Sequence, residues 1–187
     1  HLGYLQKHHP MNFGFQKFVG FKSGNVDYQS HRNRYGDMDW WDGLEMKDMS
    51  GYTTTLLTTL SEDYIKENKD KPFCLYIAHA APHSPMQGPD EKAVRTEATP
   101  EGDKNSDRSN KEIYKDMVEE LDWSVGRILE TLKKYKLDEN TFVVFFSDNG
   151  PVINNGGSAG GYKGAKGSPW EGGHRVPGIC YMPGTIK

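Results

Sequence analysis

The sequence predicts an α/β fold, a mostly parallel sheet flanked by helices. Three observations carry that expectation. Phe142-Val143-Val144-Phe145-Phe146 is an unbroken run of β-prone apolar residues, the pattern of a strand buried on both faces in the middle of a parallel sheet. Phe73-Cys74-Leu75-Tyr76-Ile77-Ala78 repeats that pattern earlier in the chain. Stretches of helical periodicity precede each run, so helix and strand alternate.

Taken in order, residues 1–50 are rich in glycine, aromatic residues, histidine and arginine and have little periodicity. They read as a long ordered loop region rather than a packed element. Over 52–68 the apolar positions Leu56, Leu57, Leu60, Tyr64 and Ile65 follow helical spacing. The strand 73–78 follows Pro72. Residues 82–108 are polar, with prolines and glycines. They are too long for an ordinary connection, so the expectation is a functional or mobile segment. Ser109-Asn110-Lys111-Glu112 matches a capping box, the signature of a helix start. Ile113, Met117, Leu121, Val125, Ile128, Leu129 and Leu132 then line one helix face to about residue 135. A strand at 142–147, a glycine-rich loop at 150–169 and a proline-weakened strand at 176–182 complete the chain.

Composition narrows the function classes. The 187 residues suffice for one domain with a sizeable core. A hydrophobic share of 35% and a mean hydropathy of -0.79 imply much solvated loop. The net charge of -3, with no lysine or arginine block, argues against nucleic acid. No apolar stretch reaches the length needed to cross a membrane. Cys74 and Cys180 both fall in expected buried strands and read as free structural thiols; no CxxC pattern points to zinc. The first residue is histidine rather than methionine, so the expectation is a piece of a longer protein, its compartment not legible here.

The chemistry-bearing residues cluster at strand ends. Asp148-Asn149-Gly150 follows the apolar run where α/β folds hold ligands. A carboxylate and an amide there suit a hard cation, although both residues also favour plain turns. His79 and His83 are four apart, but Pro82 and Pro85 exclude the continuous helix that a zinc pair would need. Flanked by prolines, His83 is the better acid–base candidate.

Gly161-Tyr162-Lys163-Gly164-Ala165-Lys166-Gly167-Ser168 lacks the lysine–serine adjacency of a nucleotide-binding phosphate loop. It remains an oxyanion clamp or a solvated loop, the latter favoured for Lys163. Glu171 and Arg175 fit structural roles. His31-Arg32-Asn33-Arg34 and Asp39-Trp40-Trp41 read equally as a sugar-binding wall or as salt bridges with buried tryptophans.

Assembled, these segments resemble the formylglycine-dependent sulfatases (arylsulfatases) of the alkaline-phosphatase-like superfamily. Phe146-Ser147-Asp148-Asn149-Gly150-Pro151 is similar to that family's second metal segment. The run from Gly164 through Lys166 to Gly173, continued by Arg175-Val176-Pro177, is similar to its lysine segment. Ala81-Pro82-His83-Ser84-Pro85 is similar to its histidine turn, and His1-Leu2-Gly3 to the end of its Gly-Lys-Trp-His-Leu-Gly motif. Asp37 to Trp41 and the His-Arg-Asn-Arg run resemble a branch from polysaccharide-degrading bacteria.

The resemblance implies a sulfuric ester hydrolase acting on a sulfated carbohydrate. It implies that Asp148 and Asn149 ligate one calcium ion, that His83 and Lys166 contact the sulfate ester, and that His1 bonds to the formylglycine. A hydrated aldehyde would attack sulfur, with charge on the sulfuryl oxygens stabilised by calcium and Lys166, and His83 would protonate the departing alcohol. It also implies a periplasmic or secreted location. The family's nucleophile arises from Cys/Ser-x-Pro-x-Arg, and no such run exists in these residues. Residues 1–187 therefore read as part of the catalytic domain, an incomplete sulfatase-like fold without the nucleophile segment or the C-terminal subdomain, and inactive alone. Two alternatives stay open: a phosphate or phosphonate ester hydrolase of the same superfamily, and an inactive relative that binds sulfated glycans.

Overall fold

The structure is a computed structural model that describes residues 4–99 and 106–186. Two helices form its centre. Helix α1, Thr53–Asn68, and helix α2, Asn110–Lys134, pack side by side. The capping box starts α2 as expected. Ser109 Oγ accepts from the Glu112 backbone N–H at 3.3 Å, and Glu112 Oε2 accepts from the Ser109 backbone N–H at 2.8 Å. Ile113, Met117 and Leu132 are buried on its inner face, with Leu121, Val125, Ile128 and Leu129 half-buried.

The matching face of α1 is more polar than its spacing of leucines suggests. Its buried residues are Thr53, Thr54, Leu57, Thr58, Ser61 and Ile65. Most of the hydroxyls find carbonyls: Thr58 Oγ1 donates to the Thr54 carbonyl at 2.7 Å, Ser61 Oγ to the Leu57 carbonyl at 2.6 Å and Thr53 Oγ1 to the Tyr28 carbonyl at 3.1 Å. Thr54 Oγ1 is buried without a partner among the described residues. Thr58 also meets Ser124 of α2 at 2.6 Å. Small hydroxyl side chains let the helices approach closely, and the Thr58–Ser124 contact matches a buried pair across the seam. Arg127 closes the outer edge of the pair on Glu62 at 2.8 Å.

Residues 4–50 are packed, not a loop region laid over the surface. They carry three short antiparallel strands: β1, Val19–Gly20; β2, Trp41–Asp42; and β3, Glu45–Met46. Val26, Asp27, Tyr28, His31 and Trp40 are all at most 1% exposed. The reason is side-chain–backbone bonding, which leaves no periodic trace in a sequence. Asp27 accepts four backbone N–H bonds, from Gln29 and Ser30 through one oxygen and from Val94 and Arg95 through the other, at 2.8–2.9 Å. The two from Val94 and Arg95, with those of Gln29 to the carbonyls of Pro89 and Glu91, fix residues 82–99 against the N-terminal region. The described part of the long polar segment is thereby held in place.

The sheet departs from expectation. Strand β4, Val143–Phe146, pairs with β5, Gly178–Tyr181, in antiparallel register, Val143 opposite Tyr181 and Phe146 opposite Gly178. All ladders among the described residues are antiparallel, so no parallel sheet is seen. Residues 73–78 form no strand ladder among the described residues. Nor are the apolar runs buried on both faces: Phe142, Val144 and Phe146 are 56%, 48% and 60% exposed. Cys74 and Cys180 are free, as expected, but exposed. The physical reason is shared. The helices cover the segment around Tyr28 and Ala81, and no described element lies over the β4–β5 ribbon.

Candidate active site

Three segments close on one another behind β4. The Gly150 N–H donates to the Gly173 carbonyl at 2.8 Å, the Lys166 N–H to the Pro151 carbonyl at 3.0 Å, and the Gly172 N–H to the Lys163 carbonyl at 2.9 Å. The turn after the strand, the lysine loop and the short helix α3, Glu171–His174, are thus stitched backbone to backbone. Glycine makes this contact available: a Cβ at Gly150 would overlap the Gly172 carbonyl oxygen, and one at Gly173 would overlap the Ser168 carbonyl.

Lys166 occupies a turn closed by the Ser168 N–H to the Ala165 carbonyl at 3.0 Å. Gly167 there takes φ +84°, the conformation a type II turn reserves for glycine. The Lys166 side chain is exposed and has no carboxylate partner among the described residues. Lys163 is exposed, as expected, and lies over the Trp170 ring, 3.7 Å from its centroid. Glu171 and Arg175 pair at 3.2 Å, a structural contact.

Asp148 is exposed and Asn149 half-buried, in a turn where Ser147 Oγ donates to the Asn149 carbonyl at 2.9 Å across Asp148. Neither side chain makes a hydrogen bond among the described residues. Their oxygens fit a hard cation by type, but they are two of the roughly six to eight oxygen donors that calcium takes. No group of three or more His, Cys, Asp or Glu side chains gathers to hold a metal among the described residues.

His83 is held by the core rather than by the lysine loop. Tyr28, at 0% exposure, donates its hydroxyl to the His83 carbonyl at 2.8 Å. Tyr28 is stacked on Tyr52, ring centroids 5.3 Å apart, and Gln87 bridges the two, accepting from the Tyr28 N–H and from the Tyr52 hydroxyl. The peptide bonds before Pro82 and Pro85 are both cis. His83 Nδ1 lies 2.9 Å from the Ser84 carbonyl. A carbonyl only accepts, so this contact places the proton on Nδ1 and leaves Nε2 as the atom that exchanges one.

His83 opens into a cleft of about 590 Å³ lined mainly by residues 22–25 and 33–41. This is where the two candidate sugar-wall runs resolve. His31 and Trp40 are scaffold, 0% and 1% exposed with rings 4.7 Å apart. Both His31 nitrogens face carbonyls, those of Met49 and Gly51. Only a doubly protonated ring would satisfy both, but burial disfavours that charge and holds His31 below its ordinary value. Arg34, Tyr35 and Trp41 instead face the cleft.

His79 is not part of this cleft. It points toward α2, 3.5 Å from Ser124 Oγ, its Nδ1 buried without a partner among the described residues, and burial lowers its pKa to about 4. The structure therefore unites Asp148, Asn149 and Lys166 through their backbones and sets His83 on the core. His1 lies outside the described residues.

A family model for sulfatases matches residues 1–187. The chain belongs to the sulfatase family. It is 33% identical to the N-acetylgalactosamine-6-sulfatase of Canis lupus familiaris over 100% of its own length and 36% of that protein's. It is 36% identical to the steryl-sulfatase of Rattus norvegicus over 71% of its length and 22% of that protein's. Among solved structures, the crystal structure of Ps i-CgsB in complex with k-i-k-neocarrahexaose superposes with a TM-score of 0.82 at 30% identity, over 98% of this chain and 43% of that one. The chain thus spans between about a fifth and somewhat over two fifths of these relatives.

Tyr28 and Gln87, which position the histidine turn, and Lys22 and Tyr35 in the cleft escaped the sequence reading. They stand in aperiodic segments, and only the tertiary contact distinguishes them from other loop residues.

Proposed function

We propose that this chain is the part of a sulfatase catalytic domain that carries its acid–base histidine, its sulfate-binding lysine and part of its metal site. The substrate proposed is a sulfated carbohydrate. The observation that carries the reading is the backbone junction of the Asp148-Asn149-Gly150 turn with the Lys166 loop at the end of β4. It joins the segments that carry an exposed carboxylate and an exposed ammonium, neither of them paired among the described residues.

In the proposed reaction His83, protonated, donates from Nε2 to the alcohol oxygen as the sulfur–oxygen bond breaks and the electron pair stays on oxygen. Nδ1 keeps its bond to the Ser84 carbonyl throughout. Lys166 faces the sulfuryl oxygens, where charge builds, and Gly167 lets the loop turn tightly enough to present it. Asp148 and Asn149 would hold one calcium ion with ligands from elsewhere in the protein. When bound, the ion polarises the sulfuryl group. His1 is proposed to bond to the nucleophile, a formylglycine in this family, which these residues do not encode. The mostly parallel sheet is likewise proposed for the whole protein, where further strands would cover β4 and residues 73–78. A periplasmic or secreted location follows from the extracellular occurrence of sulfated polysaccharides.

The test is sulfate release from a sulfated oligosaccharide by the full-length protein and by its His83→Ala and Lys166→Ala variants. Each variant is expected to lose roughly 10²–10⁴-fold in kcat. Unaltered turnover in both, or no sulfate release by the unmodified sequence, overturns the reading.

A further inference from the structure

The cleft beside His83 has a feature that removal of one sulfate does not require. Its walls present two cations that no carboxylate side chain pairs among the described residues. Arg34 is exposed, its guanidinium stacked over the Tyr35 ring at 4.9 Å and bonded once, from Nη2 to the Tyr35 hydroxyl at 2.6 Å. The rest of its fork is unoccupied among the described residues. Lys22 places its ammonium 3.2 Å from the centroid of the Trp41 ring. Asp39 is near, but it accepts from the Lys22 and Ser23 backbone N–H groups and from Trp41 Nε1 at 2.8–3.2 Å. It secures the wall and forms no salt bridge with the lysine. Asp37 is the cleft's other acid, exposed and free to accept a hydroxyl. Burial lowers the Lys22 pKa and Asp39 opposes the shift, so the ammonium is a partly desolvated cation.

We propose that this cleft binds the sugar next to the one being desulfated and reads a second sulfate on it, through Lys22 and the Arg34 fork. The inference rests on the sulfatase reading above and names its substrate class: a polysaccharide sulfated on adjacent sugars. Three properties fit. The volume lies within the range of about 300–1,000 Å³ usual for small-ligand sites. A planar guanidinium matches the oxygens of a sulfate as it does those of phosphate or carboxylate. The cleft also ends on His83, so a ligand lying in it reaches the proposed acid directly. His31 and Trp40, packed beneath, hold the wall rigid without touching the ligand.

The test is calorimetric binding to the full-length protein of two hexasaccharides of one sugar backbone, one sulfated on adjacent sugars and one on alternate sugars. Arg34→Ala and Lys22→Ala are each expected to raise Kd at least tenfold for the first and to change it less than twofold for the second. Arg34→Lys, which keeps charge but loses the fork, should fall between. Equal weakening toward both ligands, or none toward either, overturns the proposal. The conservative variants Arg34→Lys and Lys22→Gln keep the test open should an alanine variant fail to fold. Sulfate release by the unmodified protein is measured in parallel. Absent release with Arg34-sensitive binding would sink the hydrolase reading and leave the cleft standing; release with insensitive binding would do the reverse.

Discussion

His79 and His83 stand four residues apart and have opposite fates. His83 is held by its backbone and opens into a cleft, with one ring nitrogen bonded to a carbonyl and the other available. His79 points inward against α2, and burial lowers its pKa to about 4 from an ordinary 6.5. The neutral form is thus the folded form. Between pH 6.5 and 4 the unfolded chain binds the extra proton, so stability is full above pH 6.5 and declines on acidification. For the single group, linkage gives about 2 kcal/mol lost from pH 7 to pH 4.5. His79→Gln should remove that dependence: urea midpoints of the two proteins should converge, or cross, as pH falls. Parallel pH profiles would show that His79 does not titrate this way. The prolines around His83 are what set it apart from His79 in the sequence, and both of their peptide bonds are cis in the structure. The depth of His79 was not legible there, because it depends on how α2 lies over residues 79–81.

The helices were the most legible elements, since each announces itself locally. The capping box at Ser109 and Glu112 and the inner face from Ile113 to Leu132 need no distant partner to be read. Strands are different. The pattern Phe-Val-Val-Phe-Phe encodes a demand for cover on both faces, but the cover is a property of the whole molecule and is not met by the described residues. The turn after β4 sits between these cases. Its glycines are visible in the sequence, and their reason, the close approach of Gly150 to Gly172 and Gly173, is tertiary. Gly150→Ala forces a methyl into the Gly172 carbonyl. It should cost about 1–3 kcal/mol and separate the Asp148 turn from the Lys166 loop. A lowered melting temperature together with a fall in kcat for sulfate release would bear this out. Unchanged values of both would mean that the junction is not needed.

At the scale of the molecule, the candidate site is shared among regions that fold for separate reasons. Residues 4–50 and 82–99 are joined by the bonds from Val94 and Arg95 to Asp27 and by those of Gln29 to the Pro89 and Glu91 carbonyls, and carry the cleft. The helices supply the core on which Tyr28 fixes the histidine turn. The β4–β5 ribbon and its glycine junction carry Asp148, Asn149 and Lys166. The candidate residues were picked out in the sequence by type, because metal, oxyanion and proton chemistry each demand a particular side chain. Their assembly was not, since His83 and Lys166 are 83 positions apart and are positioned by different partners. Residues 31–41 make the same point. Some side chains there serve as scaffold and others as cleft wall, and only burial separates His31 and Trp40 from Arg34 and Trp41.

The central claim is that the Asp148–Asn149 pair, Lys166 and His83 serve one sulfo group. It is tested most directly by a crystal structure of the full-length protein with calcium and a bound sulfated oligosaccharide. The account predicts oxygens of Asp148 and Asn149 on the ion, and the Lys166 ammonium on a sulfuryl oxygen of the same sulfate. His83 Nε2 should lie within about 3.2 Å of its ester oxygen. A sulfate seated with His83 and Lys166 on different ligands, or an ion held without Asp148, would contradict it.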